Sequence, residues 1–145
     1  WVGMDDRIVV GTDGSDSAAK AVAEATRLAR ALGGEVHIVS AYRPEHVSGS
    51  SLPARFAGSI SSQAQVEAVL DDASSRARIA GVVCTTHAVK GDPADALVEV
   101  VEQVGGTMLV VGNKGLNSKV RFLLGSVPTK VVHHAPCTTV IVHTM

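Results

Sequence analysis

Aromatic residues are scarce in this chain: they make up 3% of its 145 residues, whereas 46% of the residues are hydrophobic. The core must therefore be built from Val, Leu, Ile and Ala. A chain of this length can bury such a core without support from a metal or a disulfide. Aliphatic cores of this kind suit a parallel sheet that is covered by Ala-rich helices. The composition predicts one α/β domain.

Cysteine is also scarce, and neither sign of charge dominates. Cys84 and Cys137 fall in separate β-like segments without C-x-x-C spacing, so we expect no structural disulfide and a reducing cytoplasm as the setting. The formal net charge is −1, and the charges are scattered along the chain. This pattern argues against nucleic acid or an anionic membrane as a partner.

Long hydrophobic runs are missing. No apolar stretch approaches the roughly 20 residues that span a bilayer, so we expect no membrane segment. The first residues also lack the basic and then apolar pattern of a signal peptide. Residues 1–3, which precede Met4, are expected to be a cloning remnant or an upstream extension, and residues 4–145 a single domain.

Short apolar runs alternate with stretches of helical periodicity. The apolar runs predict five strands, at 7–11, 35–42, 82–89, 107–111 and 138–143. The periodic stretches predict four helices, at 16–32, 66–80, 92–104 and 126–134, and Ser62 and Gln65 are placed as a capping box for the second of them. This alternation predicts βαβ units and a doubly wound parallel sheet with helices on both faces. Ligands of such sheets bind beyond the carboxyl ends of the strands.

Glycines cluster after the fourth predicted strand. Gly112 and Gly115 follow the apolar run at 108–111, and Gly125 and Ser126 stand at the start of the last predicted helix. Glycine permits a positive φ and a close approach of the backbone to a ligand. Ser126 is predicted to be the N-cap of a helix whose free amides and partial positive charge suit a phosphate. The cluster predicts a phosphate cradle; an ordinary glycine-rich loop before a capped helix is the alternative.

This G-x2-G-x9-G-[ST] spacing resembles the nucleotide-binding signature of the universal stress protein family. The likeness extends from Arg7 to His143, and neither the P-loop nor the G-x-G-x-x-G fingerprint is present. The resemblance implies an adenine nucleotide alpha hydrolase-like fold with the strand order 3-2-1-4-5. In that order the first and fourth strands are neighbours, so Asp13 and Gly112 would meet at the point where the strand order reverses.

The resemblance also implies which residues contact the nucleotide. They are Gly11, Thr12, Asp13, Ala41, Val111, Gly112, Lys114, Gly115, Gly125, Ser126 and Val127. The Asp13 carboxylate would meet the ribose or the metal-linked phosphates, and an Asx-turn with nearby amides is the alternative. The backbone of Ala41 would meet the adenine edge, although Ala41 could equally just end its strand. Gly11 departs from the family, because many relatives carry proline there.

The choice of nucleotide depends on positive charge. ATP requires neutralisation of its β- and γ-phosphates, for which Lys114, Lys119 and Arg121 are the candidates, although solvated loop side chains are as common. AMP or cyclic AMP requires less positive charge, since a single phosphate can bind to the amides around Ser126. We expect ATP as the ligand, with Mg²⁺ as a companion where the triphosphate needs it, and AMP or cyclic AMP as the alternative.

The catalytic parts of an ATPase are not apparent in the sequence. Phosphoryl transfer needs a positioned base, firmly held Mg²⁺ and a cation for the transition state. The sequence offers a cradle and the Asp13 carboxylate, but no base, and the histidines lack the spacing of a metal site. The resemblance therefore implies a nucleotide-binding regulator of the stress response with at most slow hydrolysis. The rival is an enzyme on the same fold, either a genuine ATPase or a nucleotidyl-transfer enzyme, and a slow ATPase is a further alternative.

The last predicted strand, 138–143, is β-branched over most of its length and holds neither proline nor Asp, Glu, Lys or Arg. The family's strand order places it at the edge of the sheet, where an apolar strand needs a cover. We expect a homodimer in which this strand pairs antiparallel with its copy. A monomer whose strand is shielded by the preceding loop is the alternative.

Overall fold

The computed structural model describes residues 5–43, 62–113 and 124–144, in which strands and helices alternate as predicted. The elements are β1 (Arg7–Gly11), α1 (Asp16–Leu32), β2 (Glu35–Tyr42), α2 (Ser62–Ile79), β3 (Cys84–Lys90), α3 (Pro93–Val104), β4 (Met108–Gly112), α4 (Ser126–His134) and β5 (Thr138–Val142). The bounds of β1, α1, β2 and α4 agree with the sequence prediction.

The strands form one parallel sheet in the order β3-β2-β1-β4-β5, which confirms the predicted order and the doubly wound class. The central strand β1 pairs with β2 on one side and β4 on the other. Its residues Ile8, Val9 and Val10 are fully buried, because helices cover both faces of the sheet. The strand order reverses between β1 and β4.

Two aliphatic layers hold the helices on the sheet. Ile8 and Val10 pack with α1 and α2 on one face, and Val9 packs with α3 and α4 on the other. Successive side chains of a strand point to opposite faces, so one apolar run supplies both layers. Valine, isoleucine, leucine and alanine fill these layers, in line with the low aromatic content.

Local signals define the helix ends. The Ser15 hydroxyl accepts from the Ala18 amide at the start of α1, and the Asp92 carboxylate caps α3 just before Pro93. Gly105 ends α3 in the left-handed conformation that glycine adopts without steric cost. Among the described residues, no helix is both long and apolar enough to cross a membrane.

The predicted strand bounds were wrong by one or two residues at the other three strands. β3 begins at Cys84 instead of residue 82, because the Val82 amide donates to the Ala77 carbonyl at the end of α2. Val82 is buried, but it belongs to the helix–strand connection rather than to the sheet. β4 spans Met108–Gly112 and β5 ends at Val142. The apolar runs locate the strands correctly, but they also include apolar residues of the connections.

Candidate functional site

A cavity of about 200 Å³ opens beyond the carboxyl ends of β1 and β4, where the strand order reverses. Its walls are the β1–α1 turn, the end of β2, the start of α3, the end of β4 and the first turn of α4. Nine residues of the predicted site line it: Gly11, Thr12, Asp13, Ala41, Val111, Gly112, Gly125, Ser126 and Val127. The other predicted contacts, Lys114 and Gly115, and the loop cations Lys119 and Arg121 lie outside the described residues.

The β1–α1 turn is held by its own side chains. One oxygen of the Asp13 carboxylate accepts the Ser15 amide at 2.9 Å, and the Thr12 hydroxyl accepts the Gly14 amide at 3.1 Å. Gly14 has φ +84°, a conformation that L side chains rarely adopt, and α2 packs close beside it. Asp13 therefore does form the Asx-turn. Because it also lines the cavity, its turn role and a ligand contact are compatible.

The end of β2 presents unpaired backbone groups to the cavity. The Val39 carbonyl accepts the Thr12 amide on the β1 side, whereas the Tyr42 carbonyl accepts the Gly91 amide on the β3 side. Backbone groups of successive strand residues point alternately to the two neighbours, so those of Ala41 point to the β1 side. β1 pairs only as far as Gly11, opposite Val39. The amide and carbonyl of Ala41 thus face the space beyond the last residue of β1.

The start of α4 differs from the prediction in two respects. Gly125, not Ser126, is the N-cap residue, and the cap has no side-chain hydrogen bond. The Gly125 amide donates to the Asn113 carbonyl at 2.9 Å, and its carbonyl accepts the first helical bond, from Thr129. Gly125 itself is extended, with φ −62° and ψ 167°, and Ser126 is the first helical residue. The amides of Ser126 and Val127 precede the first helical bond, and both residues line the cavity.

Gly112 and Gly125 do not use the positive φ that glycine permits. The described glycines with a positive φ are Gly14, Gly33, Gly81, Gly91 and Gly105, and neither Gly112 nor Gly125 is among them. Gly112 is the last residue of β4 and continues the regular pairing with β5. Its backbone is therefore held by the sheet, and the turns elsewhere take the left-handed conformations.

Two cations in the described part of the chain near the cavity, Lys130 and Arg43, are already paired with carboxylates. Lys130 of α4 lies 3.2 Å from a carboxylate oxygen of Asp92 and 3.0 Å from one of Asp95, and Arg43 also reaches Asp92. The Asp95 amide and the Lys130 ammonium lower the pKa of Asp92. The hydrogen bond to Asp95, and next the one to Asp92, raises the pKa of Lys130. Among the described residues that line the cavity, Asp13 carries the only formal charge.

Sequence reasoning missed the contribution of α3. Leu97, which is buried, and Pro93 line the cavity. A Cβ at Gly11 would lie 3.1 Å from a Leu97 methyl carbon, so Leu97 occupies the space beside this glycine. The sequence could have predicted this wall, because α3 follows β3 directly and must therefore begin at the carboxyl edge of the sheet. Over residues 5–43, 62–113 and 124–144, no group of three or more His, Cys, Asp or Glu residues could hold a metal ion.

Comparison with known proteins agrees with the sequence resemblance. The model of the universal stress protein family matches residues 4–143. Universal stress protein Rv1636 of Mycobacterium tuberculosis is 38% identical over 140 residues, which cover 94% of this chain and 95% of that protein. YxiE of Bacillus subtilis is 31% identical, with coverage of 96% and 99%. A universal stress protein solved in complex with cAMP is 38% identical, with a TM-score of 0.76 and coverage of 99% and 100%.

Proposed function

The chain belongs to the universal stress protein family, and from this membership we propose that it binds an adenine nucleotide in the cavity between β1 and β4. One observation carries the proposal. The open amides of the α4 start, the Asp13 turn and the free backbone edge of Ala41 all face one cavity at the reversal of strand order. The relative solved with cAMP, at 38% identity, supports the class of ligand.

Each wall of the cavity suits one part of an adenine nucleotide. The amide and carbonyl of Ala41 offer one donor and one acceptor to the edge of the base. The Asp13 carboxylate can accept a ribose hydroxyl proton, and Val111 provides an apolar wall. The amides of Ser126 and Val127, with the positive end of the α4 dipole, suit the phosphate. Base, ribose and phosphate would then lie in sequence from β2 to α4.

The charge of the described lining favours a nucleotide with a single phosphate. Cyclic AMP carries one negative charge, which the α4 N-terminus can balance in part, and AMP carries no more than two. A triphosphate would bring more charge close to Asp13, while Lys130 is engaged by Asp92 and Asp95. We therefore place cyclic AMP or AMP first.

ATP is the second candidate, and Asp13 supports it. Mg²⁺ is commonly held by one or two carboxylates together with the phosphates of the nucleotide, and Asp13 is placed to supply one. Lys114, Lys119 and Arg121 would then be the candidates for neutralising the remaining charge. Bound Mg²⁺ would supply a positive charge between the carboxylate and the triphosphate.

The proposed role is regulatory: nucleotide binding shifts the protein between conformations or partners during stress. Binding suffices for this role, and the described lining places no histidine beside the phosphate position. We also propose that the protein works in the cytoplasm. Cys84 and Cys137 are free thiols, which fits a reducing compartment.

We further propose a homodimer through β5. β5 lies at the edge of the sheet, and two apolar side chains near it are exposed: Ile141, 36% exposed, and Val132 of α4, 50% exposed. Antiparallel pairing of β5 with its copy would satisfy the open backbone groups of the edge and cover these side chains. The nucleotide cavity lies on the inner side of β4 and would stay accessible.

A melting experiment with a panel of ligands tests the proposed function. We expect cyclic AMP and AMP to raise the melting temperature, since a ligand at 100 times its Kd stabilises the folded state by about 2.7 kcal/mol. ATP is tested with and without Mg²⁺, and GMP serves as the matched control for the base. If no adenine nucleotide raises the melting temperature at millimolar concentration, the proposed function is wrong.

A further inference from the structure

Thr144 lies beyond the end of β5, yet it is only 4% exposed. Its hydroxyl donates to the side-chain oxygen of Asn113 at 2.7 Å, and its amide donates to the same oxygen at 3.0 Å. Two donors on one amide oxygen use both of its lone-pair positions. This contact holds the chain after β5 against the chain after β4.

Asn113 also makes two backbone hydrogen bonds in different directions. Its amide donates to the Val142 carbonyl of β5, and its carbonyl accepts the Gly125 amide at the N-cap of α4, each at 2.9 Å. Asn113 thus links the start of α4 to β5 by backbone hydrogen bonds, beside the apolar packing of Val127 and Val131 on the sheet. Because the Gly125 amide is used for this attachment, the position of the Ser126 and Val127 amides depends on where Asn113 stands.

A third contact extends the arrangement to α1. The Lys20 ammonium of α1 donates to the Thr144 carbonyl at 3.1 Å. α1 begins at the turn that contains Asp13, so Lys20 belongs to the element that forms the ribose wall. Lys20, Thr144, Asn113 and Gly125 therefore form a continuous polar tie from α1, through the end of the chain after β5, to the start of α4.

We propose that this polar tie positions the phosphate-binding amides, and that Asn113 and Thr144 are positioning residues of the nucleotide site. The inference rests on the proposed function, because it concerns the phosphate end of the same cavity. Neither side chain lines the cavity, so each acts through the backbone it holds. Loss of the tie lets the α4 start shift, and a misplaced amide loses much of a charge-assisted hydrogen bond.

The polar tie should matter for the phosphate and not for the base. Ala41, at the end of β2, lies opposite Val89 of β3, and none of the hydrogen bonds of the tie involves it. Weakened positioning should therefore lower the affinity for AMP and cyclic AMP while the affinity for adenosine stays the same. A general loss of stability would lower both, so the comparison of AMP with adenosine separates positioning from folding.

The experiment measures the Kd of AMP, cyclic AMP and adenosine by calorimetry for Asn113→Ala, Thr144→Val and the double variant. Each single change should weaken AMP binding roughly fivefold or more, as expected for one lost hydrogen bond, and leave adenosine unchanged. The double variant should bind AMP as tightly as the single variant with the lower affinity, because both changes break the same contact. Thr144→Ser, which keeps the hydroxyl, should restore binding.

Thr85→Val is the matched control, since Thr85 is an exposed threonine of β3 far from the tie. It should bind AMP as the wild type does. Equal AMP affinity in Asn113→Ala, Thr144→Val and wild type would overturn the positioning role. A parallel loss of AMP and adenosine affinity would overturn it as well, since the effect would then be on folding.

A second measurement keeps the polar tie testable apart from the proposed function. Amide hydrogen exchange of Gly125 in the ligand-free protein should be faster in Asn113→Ala and Thr144→Val than in wild type and Thr85→Val. If the wild type binds no adenine nucleotide but Gly125 exchange responds, the tie holds α4 and the proposed function is wrong. If Gly125 exchange does not change in either variant, the tie itself is wrong.

Discussion

His37 and His87 share a hydrogen bond between β2 and β3, with 2.9 Å between Nδ1 of His37 and Nε2 of His87. The other nitrogen of His37, Nε2, lies 2.8 Å from a carboxylate oxygen of Glu35, which also lies 3.5 Å from Arg7. His37 is buried and His87 is half-buried. Two imidazoles can share this bond only while one of the facing nitrogens lacks a proton, so double protonation breaks it.

Stability should therefore fall in mild acid. Burial, and next the charge of His37, lower the pKa of His87 below its ordinary value of 6.5. The unfolded chain therefore binds a proton at a higher pH than the folded protein does. The contribution of neutral His87 to the free energy of unfolding is complete above pH 6.5 and is lost as the pH falls below that value. Urea unfolding between about pH 7.5 and 5 measures the effect.

His87→Gln should reduce this pH dependence, because the amide can hydrogen bond to His37 without titrating. His134→Gln, at the exposed end of α4, is the control and should keep the wild-type slope. An identical pH dependence in His87→Gln and wild type would show that the pair does not govern acid stability.

Gly125→Asp should stabilise the free protein while it weakens nucleotide binding. Asp is a better N-cap than Gly by a few tenths of a kcal/mol, and its charge suits the positive end of the helix. Gly125 has φ −62° and ψ 167°, a conformation that any residue can adopt. The new carboxylate would accept the Val127 amide and place a negative charge at the proposed phosphate position, so AMP affinity should fall about tenfold or more. Calorimetry and urea unfolding measure the two effects.

Gly125→Asn is the matched variant without the charge, and it should weaken AMP binding less than Asp does. Undiminished AMP affinity in Gly125→Asp would mean that the phosphate does not bind at the start of α4.

Asp13→Asn separates the two candidate ligands. The amide oxygen can still accept the Ser15 amide, so the turn should be kept. Loss of the carboxylate should lower the affinity for Mg²⁺-ATP about tenfold if Asp13 holds the metal, and should leave cyclic AMP binding equal or tighter. Asp16→Asn, in the exposed first turn of α1, controls for net charge. Unchanged Mg²⁺-ATP affinity would exclude Asp13 as a metal ligand.

Ile141→Lys should convert the proposed dimer to a monomer, because a charge on the exposed edge strand opposes its pairing with a copy. Sedimentation at micromolar concentration should give about twice the chain mass of 14.9 kDa for wild type and the single mass for the variant. Val83→Lys, an exposed apolar position just before the opposite edge strand, should remain dimeric. A monomeric wild type contradicts the dimer, and a dimeric Ile141→Lys contradicts its interface.

The neighbouring glycines after α1 should respond differently to alanine. Gly33 has φ +70° and open space at its Cβ position, so Gly33→Ala should cost about 1 kcal/mol of unfolding free energy from backbone strain. At Gly34 the Cβ would lie 2.3 Å from the Asp6 carbonyl oxygen. Gly34→Ala should cost more, about 2–3 kcal/mol, since backbone must move. Urea unfolding of the two variants measures both losses of unfolding free energy. A larger loss in Gly33→Ala than in Gly34→Ala would contradict the prediction.

The sequence was sufficient for the elements of the fold and for most of the cavity lining. Strand and helix periods are local properties, so 7–11 and 16–32 could be located from neighbouring residues alone. The glycine spacing and the family resemblance placed Asp13 and Gly112 at adjoining strand ends, and both line the cavity. The Ser126 cap could not be judged in this way, because Gly125 takes the cap position through its bond to Asn113.

Only the tertiary structure showed the contacts between distant parts of the chain. Lys20 and Thr144 are 124 residues apart, and His37 and His87 are 50 apart. Whether such pairs meet depends on the register of β2 against β3 and on the position of the chain after β5, which the periods of single elements do not contain. The sequence determined which segments form strands and helices, because burial follows local pattern; the tertiary structure decided which polar side chains meet, because hydrogen bonds require ångström-level placement.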